Sequence, residues 1–80
     1  MNTQEVKEKL TKIFVEDLEY NAEDITPDAT LKEDIGVDSL DMIDIVAAVE
    51  TNFGFKVDEN EMRQVETFDQ LCMYIERHVA

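Results

Sequence analysis

Eighty residues leave no room for a second domain, and a chain this short buries only about 60% of its unfolded surface, so its core must be simple. Two glycines and one proline are too few for a many-turned all-β fold, whereas 44% apolar residues suffice for a small helical core. Twenty acids against seven bases, a net charge of −13, remove the electrostatic attraction that dominates nucleic-acid binding, so no nucleic-acid partner is expected.

The charge is uneven: residues 16–44 hold eleven acids and one base, Lys32. A field this one-sided steers a protein toward basic partners, although a solvated face that keeps the chain soluble has the same composition. The beginning, "MNTQEVKEKL", is amphipathic and charged, with no apolar signal core, no membrane span and no myristoylation glycine. With Cys72 alone and unable to form an internal disulfide, the expectation is a cytoplasmic, soluble monomer.

The first helix is announced by Asn2 and Glu5 at capping-box spacing, followed by Val6, Leu10, Ile13, Phe14 and Leu18 on one face, with Lys7, Lys9 and Lys12 on the wet side. Periodicity then fades. From Asp17 to Asp38 the chain reads as a long loop pinned by Ile25, Leu31 and Ile35, and loops of this length are often functional.

A second helix begins at or beside Ser39, with Asp38 as cap and Asp41 in its first turn. Met42, Ile45, Val46, Val49 and Phe53 form its buried stripe; Leu40, Asp41, Asp44, Ala47, Ala48 and Thr51 fall on the other side, and Gly54 ends it. Asp58 and Glu61 repeat the capping-box spacing for a third helix of a turn or two, with Val57 placed to staple onto Met62. Thr67 and Gln70 cap the last helix, which buries Phe68, Leu71, Cys72, Ile75 and Val79. The predicted fold is all-α: a four-helix bundle with three main helices, one short third helix and a long loop between helices 1 and 2.

Ser39, the only serine, lies in "GVDSLDM". A catalytic serine needs a base and a group to orient that base, and the only histidine, His78, sits in the last turn of the last helix, an ordinary place for a cation. Cys72 falls on an apolar face and reads as a small buried hydrophobe. The best calcium-loop candidate, residues 24–35, has Ala29 where a glycine is needed and Ile35 where a glutamate should close the cage. There is no zinc-ligand spacing and no phosphate loop. The chain is therefore expected to have no catalytic residue and no metal centre. Ser39 remains as a hydroxyl at a helix N-terminus, where an attached phosphate would meet free N–H groups, or as a simple cap.

The stretch "EDIGVDSLDMIDIV", residues 33–46, resembles the acyl carrier protein family, whose hallmark is D-S-L with a glycine two residues ahead of the aspartate. The order and length of the elements match that family over residues 3–79, so residues 1–80 are expected to form a single acyl carrier domain. The resemblance implies a protein that is itself no enzyme. A phosphopantetheinyl transferase, supplying base and magnesium, would bring coenzyme A; Ser39 Oγ would attack the pantetheine-side phosphate and adenosine 3′,5′-bisphosphate would leave. Ser39 would then carry 4′-phosphopantetheine, whose thiol holds acyl groups as thioesters. The resemblance further implies a partner-docking face of Asp38, Leu40, Asp41, Asp44, Ala47 and Thr51, recognised by basic patches on acyl-loading, condensing and acyl-modifying enzymes. Fatty-acid carriers often have a large apolar residue and a glutamate where this chain has Ala47 and Thr51, so the far end of the face is less bulky and less acidic. Fatty-acid or related lipid and polyketide cargo is implied, with amino or aryl acids as the alternative carrier reading. An acidic helical interaction module without a prosthetic group is the alternative outside the carriers.

Overall fold

The computed structural model describes residues 2–79. Four α-helices follow one another as α1 (Thr3–Lys12), α2 (Ser39–Phe53), α3 (Glu59–Met62) and α4 (Phe68–Val79), and the described residues contain no β-strand. The all-α bundle with a short third helix is thus observed.

At the start of α1, Asn2 Oδ1 accepts a hydrogen bond from the Glu5 N–H at 2.9 Å, and Glu5 Oε1 accepts one from the Asn2 N–H at 3.3 Å. Both early donors are satisfied locally, as the spacing requires. Val6, Leu10, Ile13 and Phe14 are buried, and α4 packs against both α1 and α2. Each large side chain buried this way contributes roughly 1.5–3 kcal/mol.

Two expectations for this helix change. Beyond Lys12 the chain keeps coiling through Ile13–Asp17 as a widened turn, in which the Leu18 N–H reaches Ile13 O at 3.0 Å and the Tyr20 N–H reaches Phe14 O at 2.9 Å. Glu19 then takes a left-handed conformation, φ 62°, and Tyr20 folds back with its ring centroid 5.6 Å from that of Phe14. Lys9 is not on the wet side: its Nζ donates to Asn52 O at 2.7 Å and lies 5.1 Å from the centroid of Phe53. A cation there satisfies a carbonyl at the end of α2, where the dipole is negative.

The long loop holds more structure than its sequence suggests. A short helical turn at Ala22–Asp24 is followed by a wide one at Leu31–Ile35, capped by the Thr30 hydroxyl and ending at Gly36 with φ 91°. Leu31 and Ile35 are buried as expected, Ile25 is half-buried, and Ala29 and Val37 join the core. The backbone ties this segment to the start of α4: Leu31 N–H to Glu66 O at 2.9 Å, Phe68 N–H to Ala29 O at 2.9 Å and Asp69 N–H to Pro27 O at 3.1 Å. These bonds satisfy polar groups that a buried loop could not leave unpaired.

Gly54, φ 73°, stops α2, and Glu50 Oε2 accepts from the Val57 N–H at 2.8 Å across the following turn. Asp58 Oδ1 then caps α3, accepting from Asn60 N at 2.8 Å and Glu61 N at 3.1 Å. The other half of that capping box is missing. Glu61 instead accepts from the Tyr74 hydroxyl at 3.1 Å, and its carboxylate lies 3.9 Å from His78 Nε2. Tyr74, buried in α4, also accepts from the Asp58 N–H at 3.2 Å, so one phenol links α4 to the cap and first turn of α3. At the start of α4 the expected Thr67–Gln70 pair is present, with Thr67 Oγ1 accepting from Gln70 N at 3.1 Å and Gln70 Oε1 accepting from Thr67 N at 3.3 Å.

Candidate functional site

The site grows from the first turn of α2. Asp38 Oδ1 accepts from the Asp41 N–H at 2.8 Å, and Asp41 Oδ2 accepts from the Asp38 N–H at 3.2 Å. Asp38 is therefore the cap. Ser39 is the first helical residue, exposed, and its hydroxyl has no hydrogen-bond partner among the described residues. The hydroxyl therefore does no structural work in the fold.

Leu40, Asp44, Ala47 and Thr51 recur at spacings of four, three and four along α2, and all are exposed, Leu40 by 74%. They form one continuous stripe running away from Ser39. Asp38 is exposed beside its upper end, while Asp41 is half-buried because its carboxylate turns back to the cap.

Tyr20, which sequence patterning does not single out, reaches this face from the far side of the loop. Its side chain shares a cleft with Asp41, and its pKa is pushed up to about 12, first by burial and then by the nearby carboxylates of Asp41, Asp38 and Asp44. Tyr20 lines an acidic cleft of about 460 Å³ with Asp17, Glu19, Asp41 and Asp44. No local signal in the sequence brings residue 20 to residue 41.

On the other flank of α2 lies a groove of about 490 Å³. Met42, Val46, Met62 and Val65 supply apolar walls, Ser39 and Asp38 mark the end nearest the start of α2, and Lys32, Glu59 and Arg63 stand on its rim. The buried stripe expected for α2 is correct for Ile45 and Val49, but Met42, Val46 and Phe53 are only half-buried. For Met42 and Val46 the reason is the length of α3: a single turn cannot cover the helix it faces. Ile43 lines the same groove and is 65% exposed, a large apolar side chain that neither face of the sequence pattern included. Its spacing of three from Leu40 and four from Ala47 was the available signal.

The remaining chemical side chains lie elsewhere. Cys72 is buried in α4, and burial together with the charge of Asp69 pushes its thiol up to about 11. His78 stacks on Phe55 with ring centroids 4.7 Å apart and planes 4° from parallel, so it packs at the α3–α4 end of the molecule. Among the described residues neither side chain is hydrogen-bonded to Ser39, and neither lines an opening that Ser39 lines.

Comparison with known proteins agrees with the geometry. Residues 8–75 match the family model described as "Phosphopantetheine attachment site". The chain is 34% identical over 70 residues to the acyl carrier protein of Nitratidesulfovibrio vulgaris, covering 88% of this chain and 92% of that protein. It is 35% identical over 77 residues to the acyl carrier protein of Thermotoga maritima, covering 96% and 95% respectively. With the acyl carrier protein of Saccharopolyspora erythraea the identity is 37% over 67 residues, 84% of this chain and 70% of that one. The match to a phosphopantetheine domain sets aside the reading as an interaction module without a prosthetic group. With an exposed, unpartnered hydroxyl at a helix start inside a family match that spans most of the sequence, one conclusion holds: the chain belongs to the acyl carrier protein family, carriers that bear phosphopantetheine and are not themselves enzymes.

Proposed function

We propose that Ser39 is the residue that accepts 4′-phosphopantetheine and that residues 1–80 act as a single carrier domain. The observation that carries this reading is the division of labour at the start of α2: Asp38 caps the helix, so the Ser39 hydroxyl is left exposed and unpartnered. The local field suits an anion, because a helix start offers free N–H groups and the positive end of the dipole. The transferase provides the base that takes the hydroxyl proton; Ser39 Oγ forms a bond to the pantetheine-side phosphorus of coenzyme A, and the bond to adenosine 3′,5′-bisphosphate breaks. When attached, the arm supplies the thiol that holds acyl groups as thioesters.

Asp38, Leu40, Asp41, Asp44, Ala47 and Thr51 form the docking face in this reading. Acids at the rim of an interface speed encounter with basic patches and raise its salt dependence more than they tighten the final complex. That suits a monomeric cytoplasmic carrier serving a transferase and then acyl-loading, condensing and acyl-modifying enzymes. Fatty-acid or related lipid or polyketide intermediates are the proposed cargo. The test is intact mass after incubation with coenzyme A and a promiscuous phosphopantetheinyl transferase. One added arm is expected on the wild type and none on Ser39→Ala; an arm on the variant, or no arm on the wild type, refutes the assignment.

A further inference from the structure

Two openings flank the start of α2, and they differ in charge. The cleft on the Tyr20 side is lined by four acids, Asp17, Glu19, Asp41 and Asp44, with no base. The groove on the α3 side carries Lys32 and Arg63, two of only seven bases in the chain. The ion pairs among the described residues are Lys12 with Glu16 and His78 with Glu61, so neither Lys32 nor Arg63 is paired with an acid. Two acids share that rim, Glu59 and Asp38, whose carboxylate accepts the Asp41 N–H at 2.8 Å and keeps its charge, so the bases and acids of the groove balance while the opposite cleft is wholly acidic.

We propose that Lys32 and Arg63 are positioning residues that bind the phosphodiester formed on Ser39, and so direct what Ser39 carries into the α2–α3 groove and away from the acidic docking face. The inference rests on the reading of Ser39 given above. A phosphodiester keeps a negative charge at any physiological pH, and its attachment to Ser39 Oγ confines it to the start of α2. The acidic cleft repels that charge. Arg63 offers a planar fork matched to two phosphate oxygens and Lys32 a mobile point charge, so the pair can grip the group from the residue that ends α3 and from the turn before α2. Met42, Val46, Met62 and Val65 then provide an apolar bed beyond the phosphate. A basic partner docking on the Asp44 side lowers the repulsion there, which gives a physical reason for release toward the enzyme only when an enzyme is bound.

The experiment compares amide spectra of the unloaded and the loaded protein, with loading verified by intact mass and with the phosphorus line width as a second readout. On loading the wild type, the amides of Ile43, Val46, Met62 and Val65 are expected to shift and the phosphorus signal to be broad, as for a group tumbling with the protein. In the double variant Lys32→Gln, Arg63→Gln most of those shifts disappear and the phosphorus line narrows. Lys7→Gln, Lys56→Gln, which removes the same charge elsewhere, keeps the wild-type pattern. High salt, which shortens the screening length from about 8 Å at physiological strength to about 3 Å at 1 M, drives the wild type toward the double variant. Unloaded spectra that match at α1 and α4 show that the variants are folded. If loading succeeds but the groove amides respond equally in the wild type and the double variant, or not at all, the clamp is wrong while Ser39 stands. If no mass is added, Ser39 falls and the clamp with it.

Discussion

Asp38 and Asp41 hold each other: each carboxylate accepts the other's backbone N–H, at 2.8 and 3.2 Å, and Ser39 sits between them with nothing to do. The helix start is therefore insensitive to the serine and sensitive to its neighbour. Asp38→Ala is expected to cost about 1 kcal/mol of stability, the usual loss for a missing cap. Ser39→Ala is expected to stay within about 0.5 kcal/mol of the wild type, because the side chain is exposed and holds no hydrogen bond of the cap. Urea denaturation of the unloaded proteins checks both, and a large loss for Ser39→Ala would mean that the hydroxyl is structural after all.

Tyr20 titrates against three aspartates. Burial, then Asp41, Asp38 and Asp44, raise its pKa from 10.0 to about 12. The folded state thus keeps the proton longer than the unfolded chain, so the contribution is fully present below pH 10 and is lost as pH rises through 12. In a Tyr74→Phe background, which leaves Tyr20 as the only tyrosine, tyrosinate absorbance is expected to rise near the upper value, and Asp41→Asn is expected to move it down. No movement would remove Asp41 from the causes.

Tyr74 ties α4 to the start of α3 through two hydrogen bonds, to Asp58 N and Glu61 Oε1. Tyr74→Phe keeps the buried ring and removes both bonds, at a net cost of about 1–2 kcal/mol. The loss should be local. Hydrogen exchange is expected to accelerate at residues 59–62 while Val6–Leu10 amides in α1 keep their order of protection.

Gly54 closes α2 at φ 73°, with open space where a Cβ would be. Because nothing would clash, the effect of Gly54→Ala isolates the cost of the left-handed backbone, about 1 kcal/mol. Thermal melts should fall by a few degrees with helix content unchanged, and a neutral result would mean that the chain leaves α2 by another turn.

What could be read from the sequence was what is settled within four residues. The boxes Asn2–Glu5, Asp38–Asp41 and Thr67–Gln70 bond across three positions, and all three form. The Asp58–Glu61 box half-fails because Glu61 finds Tyr74, thirteen residues away, and local spacing carries no trace of that competitor. The same limit explains Tyr20, brought to Asp41 by a backbone turn at Glu19, and the loop whose hidden order depends on residues 66–69. Ile43 is different. Its exposure follows from helical periodicity alone, three residues from Leu40 and four from Ala47, and needs no contact from a distant part of the chain.

The bonds from the Leu31 N–H to Glu66 O and from the Phe68 N–H to Ala29 O join the approach to Ser39 with a distant part of the chain. Residues 27–31 and 66–69 are therefore one cooperative unit: a chain cut short ahead of Glu66 loses the acceptor for the Leu31 N–H and the donor to Ala29 O together, and the lead-in to α2 loses its anchorage with them.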